Sequence, residues 1–100
     1  MPTVRRKLLG QRNLIGPIVR RMRIEKAFSQ AVLAARLQRM GWDVSRDIIA
    51  RIECQTRWVA DFESVLLALA LGTTVRDLLP VRSLETKAIE FANRLAWPAE

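Results

Sequence analysis

The chain has 100 residues, half of them apolar, with seventeen Lys/Arg against ten Asp/Glu and a net charge of +7. That length suits one domain with a modest helical core, and that charge points to a polyanionic partner or an acidic membrane surface. A single Cys and no His exclude disulfide frameworks and most metal sites.

The charge is unevenly placed. Residues 1–57 carry thirteen Lys/Arg and four acidic residues, whereas the remainder carries four and six. The positive field therefore belongs to the N-terminal half. The longest uncharged run, residues 64–75, is too short to span a bilayer and contains Gly72. No signal-peptide apolar run follows the first basic cluster, because Gln11 and Arg12 interrupt it.

Residues 1–14 are basic and lack a long apolar face, so a flexible arm is expected, with Arg5, Arg6 and Lys7 as candidate phosphate contacts. Gly16 and Pro17 open a helix predicted to run to about Ala27, with Val19 and Met22 facing the core. Ser29 is the candidate N-cap of a second helix, and Phe28 and Leu33 have hydrophobic-staple spacing. Leu33, Ala34, Leu37 and Met40 share one helical face, and Gly41 suits the left-handed residue that ends a helix.

Ser45 opens a third helix, with Val44 and Ile49 as its staple pair. Ile49 and Ile52 point inward; Arg46, Asp47, Ala50 and Arg51 fall on the other side. A short helix with a buried seam and a charged outer face is one that a major groove can accept. Residues 54–60 read as a loop in which Val59 is core, Trp58 a packing lid and Cys54 a semi-buried filler. Residues 61–71 read as a helix so broadly apolar that near-complete burial is expected, ended by Gly72. Residues 74–79 form a short helix, with Asp77 in capping-box position relative to Thr74 and Pro80 closing it. Residues 83–97 form a last helix whose apolar stripe is Leu84, Ala88, Phe91 and Leu95. It either packs back on its own domain or pairs with a second copy, dimerisation being favoured. The sequence has no strand alternation and no repeat, so the fold class is all-α.

Several of these residues carry a family resemblance. Ile15 and Gly16 followed by Val19, Met22 and Arg23 come first, then Ser29 and Gln30 with Leu33 and Ala34. Ser45 and Arg46, then Arg51, Ile52 and Glu53, then Leu67, Ala68, Ala70, Leu71 and Gly72 complete the series. In order, and mostly in spacing, this resembles the Cro/C1-type (XRE-like) helix-turn-helix transcriptional regulators, over about residues 15–79. The resemblance implies a compact five-helix lambda-repressor-like DNA-binding bundle, here with an additional C-terminal helix. The divisions are then a basic arm over 1–14, the helix-turn-helix domain over 15–80 and an amphipathic helix over 81–100. It also implies an ion pair between Arg23 and Glu53, partly buried under the reading helix, and phosphate contacts from Gln30, Ser45, Thr56 and Arg57.

The sequence departs from the family pattern at three points. Leu37 and Ser45 lie eight positions apart, so the extra residues 38–43 are expected to add a turn of helix and a longer corner. Gln55 stands where the family usually has Gly, two residues after the glutamate. Val32 stands where an acidic residue often completes the capping box.

The function expected from these observations is sequence-specific binding of double-stranded DNA by a transcriptional regulator, a repressor and homodimer. Its location is then cytoplasmic, at the nucleoid, with no cofactor, no membrane and no evident small-molecule effector. Arg46 is the first candidate for reading bases, because a guanidinium can hold both guanine acceptors; Asp47 can accept from cytosine or orient Arg46. Arg51 reaches a base or a phosphate, and Ile48 touches a thymine methyl or serves as partial core. The alternative is a protein-interaction module of helix-turn-helix shape, or an antitoxin-like autoregulator, using the apolar C-terminal helix. An enzyme is not expected: His, a Gly-rich phosphate loop, paired carboxylates and a Cys/His constellation are all missing from the sequence.

Overall fold

Hydroxyl side chains set three of the helix starts. Ser29 Oγ accepts from the Val32 N–H at 3.0 Å, Ser45 Oγ from the Ile48 N–H at 3.3 Å, and Thr74 Oγ1 from the Asp77 N–H at 3.3 Å. Each satisfies a backbone donor that has no partner inside its own helix. The computed structural model describes residues 11–80 together with Thr86 and Ile89. Its helices are α1 (Gly16–Glu25), α2 (Gln30–Arg39), α3 (Arg46–Glu53), α4 (Asp61–Leu71) and α5 (Val75–Leu78). The described residues contain no strand, and the fold is all-α. Thr86 and Ile89 are helical. The remainder of the helix expected over 83–97, and the arm residues Arg5, Arg6 and Lys7, lie outside the described residues.

The core is assembled from one face of each helix. Val19 of α1, Leu33 and Leu37 of α2, Ile49 and Ile52 of α3, Leu67 and Leu71 of α4 and Leu78 of α5 are all buried. Each such burial contributes about 1.5–3 kcal/mol relative to exposure. α3 packs on α1 and α2; α4 packs on the same two helices and on α5.

The α2–α3 corner is longer than the family pattern but gains only Gln38 and Arg39 as extra helix, less than the full turn expected. Gly41 has φ 95°, the left-handed value its position suggested. The Trp42 N–H then donates to the Leu37 carbonyl at 3.1 Å, and Gln38 Nε2 donates to the Val44 carbonyl at 2.8 Å. These bonds fold the corner back on α2 and bury Val44 beneath the start of α3. Met40, placed on the core face by its spacing, is instead the exposed C-cap of α2.

Three further features differ from expectation. α1 stops at Glu25, and the reversal is made by Ala27 at φ 59°. The Asp77 carboxylate accepts from Thr73 Oγ1 at 2.9 Å, so only half of the capping box at Thr74 forms. α4 is not nearly all buried: Leu67, Ala68, Ala70 and Leu71 face the core, while Phe62, Val65 and Leu69 are exposed. The helices packed on α4 cover its inner side and leave the other apolar side open.

Gly16 marks a close approach of two elements. A Cβ there would collide with the Ile52 carbonyl oxygen at the end of α3. Gly16→Ala should therefore force α1 and α3 apart and cost about 1–3 kcal/mol, as overpacking does. A urea midpoint equal to that of the parent chain would refute that close approach.

Candidate nucleic-acid interface

Glu53 is the last residue of α3, and it is buried. A carboxylate at a helix C-terminus opposes the helix dipole, and burial strips it of water, so it needs strong donors. It has three. Arg23 Nε reaches Oε2 at 2.7 Å, Arg23 Nη2 reaches Oε1 at 3.1 Å, and Gln30 Nε2 reaches Oε1 at 3.0 Å. Arg23 Nη1 also donates to the Phe28 carbonyl at 2.7 Å. The hydrogen bond to Glu53 raises the Arg23 pKa; burial opposes it, and the Glu53 charge adds to it. The Arg23–Glu53 pair implied by the family resemblance is thus present. Gln30 turns its side-chain amide toward Glu53, away from the phosphate role suggested for it. As the first residue of α2 it still has a backbone N–H with no intrahelical acceptor.

A second network fastens the residues after α3. Asn13 Nδ2 donates to the carbonyls of Ile52 at 3.0 Å and Arg57 at 2.9 Å, and Asn13 Oδ1 accepts from the Gly16 N–H at 2.9 Å. Gln55 Nε2 donates to the Asn13 carbonyl at 3.0 Å, and the Arg12 N–H donates to the Gln55 carbonyl at 3.1 Å. Arg12 and Asn13 fall within the segment read as an arm and are tied to the end of α3. Gln55 has φ 63°, the region that favours Gly; here its side chain and backbone hold the N-terminal segment.

Arg57 forms a third clamp. Its Nη1 and Nη2 donate to Glu63 at 3.0 and 3.3 Å, and Nη1 also donates to the Trp58 carbonyl at 3.0 Å. Its guanidinium lies 5.7 Å from the Trp42 ring. Glu63 in turn accepts from the Ala60 N–H at 2.9 Å, capping α4. Burial pushes the Glu63 carboxyl up, but the bonds from Arg57 and Ala60 and the Arg57 charge outweigh it and hold it below the ordinary value.

With these groups turned inward, the outer face of α3 remains open. The Arg46 side chain is 65% exposed and that of Asp47 81%, and their charged atoms are 3.9 Å apart, a loose pair. Arg51 and Cys54 are exposed on the same helix side; Cys54 is therefore not the semi-buried filler expected. Ile48 is half-buried against the core, at the edge of this face. Ser45 is exposed at the N-terminus of α3, and exposed Thr56 donates its hydroxyl to the Arg51 carbonyl at 3.2 Å. Trp58 is 67% exposed and lines an open cleft with Asn13, Ile15, Val59 and Leu79, so it is not a lid over the core.

Arg46, Asp47 and Arg51 thus share the exposed side of α3, with Ser45 and Thr56 exposed at its two ends, whereas Gln30 and Arg57 are directed at buried carboxylates. Sequence reading missed the roles of Asn13, Gln55 and Glu63. Glu63, three residues after Ala60, had a local signal in its capping-box spacing; Asn13 had none. Comparison with protein-family models, curated proteins and solved structures finds no match for this chain. Among the described residues no helix is long and apolar enough to cross a membrane.

The Glu63 clamp predicts a pH dependence. Its folded carboxyl titrates below the ordinary 4.5, so its stabilisation is full above that pH and is lost as pH falls through the folded value. Glu63→Gln should lower stability at neutral pH, and the gap from the parent chain should close in acid. A gap that stays constant across that range would show that the ionised pair contributes nothing.

Proposed function

We propose that this chain is a sequence-specific double-stranded DNA-binding transcriptional regulator of the Cro/C1 (XRE-like) type, a homodimeric repressor whose α1 to α5 form a lambda-repressor-like bundle. The observation that carries this reading is the face of α3 bearing Arg46, Asp47 and Arg51, which stands open while the opposite face is locked by Ile49, Ile52 and Glu53. A helix with its side chains is about 10–12 Å across, close to the major-groove width of about 12 Å.

The thirteen bases of residues 1–57 draw the protein to phosphates by releasing counterions. Ser45, Thr56 and the Gln30 backbone N–H then set the register on the phosphate backbone without reading sequence. Arg57 adds its charge to this field while bracing the loop. Arg46 takes the two acceptors of guanine, with Asp47 orienting it or accepting from cytosine. Arg51 reaches further along the groove, and the exposed edge of Ile48 meets a thymine methyl. Arg5, Arg6 and Lys7 add phosphate contacts of their own.

A protein-interaction module on the same scaffold, or an antitoxin-like autoregulator, is the second reading. The exposed apolar side of α4 favours a protein contact; the basic half and the open face of α3 favour DNA.

Selection from random duplexes at physiological salt should enrich a palindrome, and no enrichment would favour the interaction module. Arg46→Ala should lose about 1–3 kcal/mol of discrimination at one base pair and keep its salt dependence. Equal weakening on every sequence would refute its reading role. Replacing Arg5, Arg6 and Lys7 with Gln should weaken binding to all sequences alike and flatten its salt slope by about 0.9 per lost phosphate contact. An unchanged slope would remove the arm from the interface.

A further inference from the structure

A cleft of about 350 Å³ lies among the segment before α1, the loop after α3 and the end of α5. No one stretch of the sequence marks it, because its walls come from residues 11–15, from 58, 59 and 64, and from 79. That volume is at the small end of the range in which proteins hold compact ligands.

The lining divides by chemistry. Ile15, Val59 and Leu79 make apolar walls, and the 67% exposed Trp58 adds an aromatic ring. An indole left open beside an apolar hollow stays in contact with water, and a flat apolar ligand would displace that water. Arg12 is the one cation of the lining, and the lining holds no acid. Its guanidinium makes a single long bond, from Nη1 to the Thr56 carbonyl at 3.4 Å, so Nε and Nη2 are donors without an acceptor among the described residues. Apolar walls, an aromatic ring and an unmatched guanidinium together fit a small planar molecule bearing a carboxylate, which Arg can hold by two parallel bonds. A DNA phosphate would suit Arg12 alone and leave the walls in water. An uncharged hydrocarbon would leave Arg12 unmatched.

We propose that this cleft binds a small aromatic carboxylate, its ring against Trp58 and its charge on Arg12. The site reaches the mount of α3. Asn13, in its lining, donates to the Ile52 and Arg57 carbonyls, and the Arg12 N–H donates to the Gln55 carbonyl at 3.1 Å. A ligand bridging Arg12 and Trp58 ties the segment before α1 to the loop after α3, and so holds the C-terminal end of α3 more firmly. Resting on the regulator reading, this makes the ligand an effector of DNA binding.

The test uses the full chain without DNA, so its failure is distinct from a failure of the DNA selection. With cinnamate as the probe, NMR shifts should saturate at millimolar concentration and be largest at the Trp58 indole N–H and the Asn13 side-chain amide. Trp58→Ala should weaken binding about tenfold, and Trp58→Phe should retain most of it. Arg12→Gln should weaken cinnamate about threefold to tenfold and leave the uncharged cinnamamide unchanged. The Arg12 and Gly16 amides should exchange with solvent more slowly in the complex. Absence of a saturable shift, shifts centred away from Trp58, equal affinity for cinnamate and cinnamamide, or unchanged exchange at both amides would each overturn the proposal.

Discussion

One buried carboxylate fixes the geometry on which the rest of the domain depends. Glu53 ends α3, Arg23 comes from α1 and Gln30 begins α2, and all three side chains meet at the Glu53 oxygens. The position is a poor one for an anion, facing the negative end of its own helix and shielded from water. It is tolerable only with its donors in place, and losing one partner of such a pair costs about 3–5 kcal/mol. The three helices are therefore held at one mutual angle, with the last turn of α3 as the fixed point.

The mounting of α3 extends from that point in both directions. Its N-terminus is set by Ser45 and by Val44, which the Gln38 and Trp42 hydrogen bonds press into the core. Beyond its C-terminus, Asn13 and Gln55 bind the N-terminal segment to the helix end, and Arg57 binds the loop to Glu63 of α4. Polar side chains are thus divided between two tasks. Arg23, Gln30 and Arg57 are directed at carboxylates and hold the frame; Arg46, Asp47 and Arg51 are exposed, Arg46 and Asp47 meeting only in a loose pair at 3.9 Å. An exposed side chain can present one geometry only if the backbone that carries it is held in place.

The two halves of the chain differ in chemistry as well as position. The basic half contains α1 to α3, and the acidic, apolar half contains α4 and α5. The open side of α3 therefore lies in the basic half, and the open apolar side of α4 in the other.

The sequence by itself determined where the helices begin and which seam they bury. Ser29, Ser45, Thr74, Gly41 and Gly72 act within one helical turn, and the isoleucine spacing of α3 is a property of the helix alone. The open face of α3 was legible for the same reason, and the Arg23–Glu53 pair only through the family resemblance. Tertiary structure decided what those local signals cannot reach. Ala27 reverses the chain without a glycine, next to Phe28, whose carbonyl Arg23 captures; one side of an apolar helix stays exposed because neighbours pack on its other side. Asn13 finds partners 39 and 44 residues away, and Gln30 and Arg57 turn to carboxylates on other helices. Capping and amphipathicity are settled by near neighbours in the chain, whereas the partner of a polar side chain is settled only once the helices have docked.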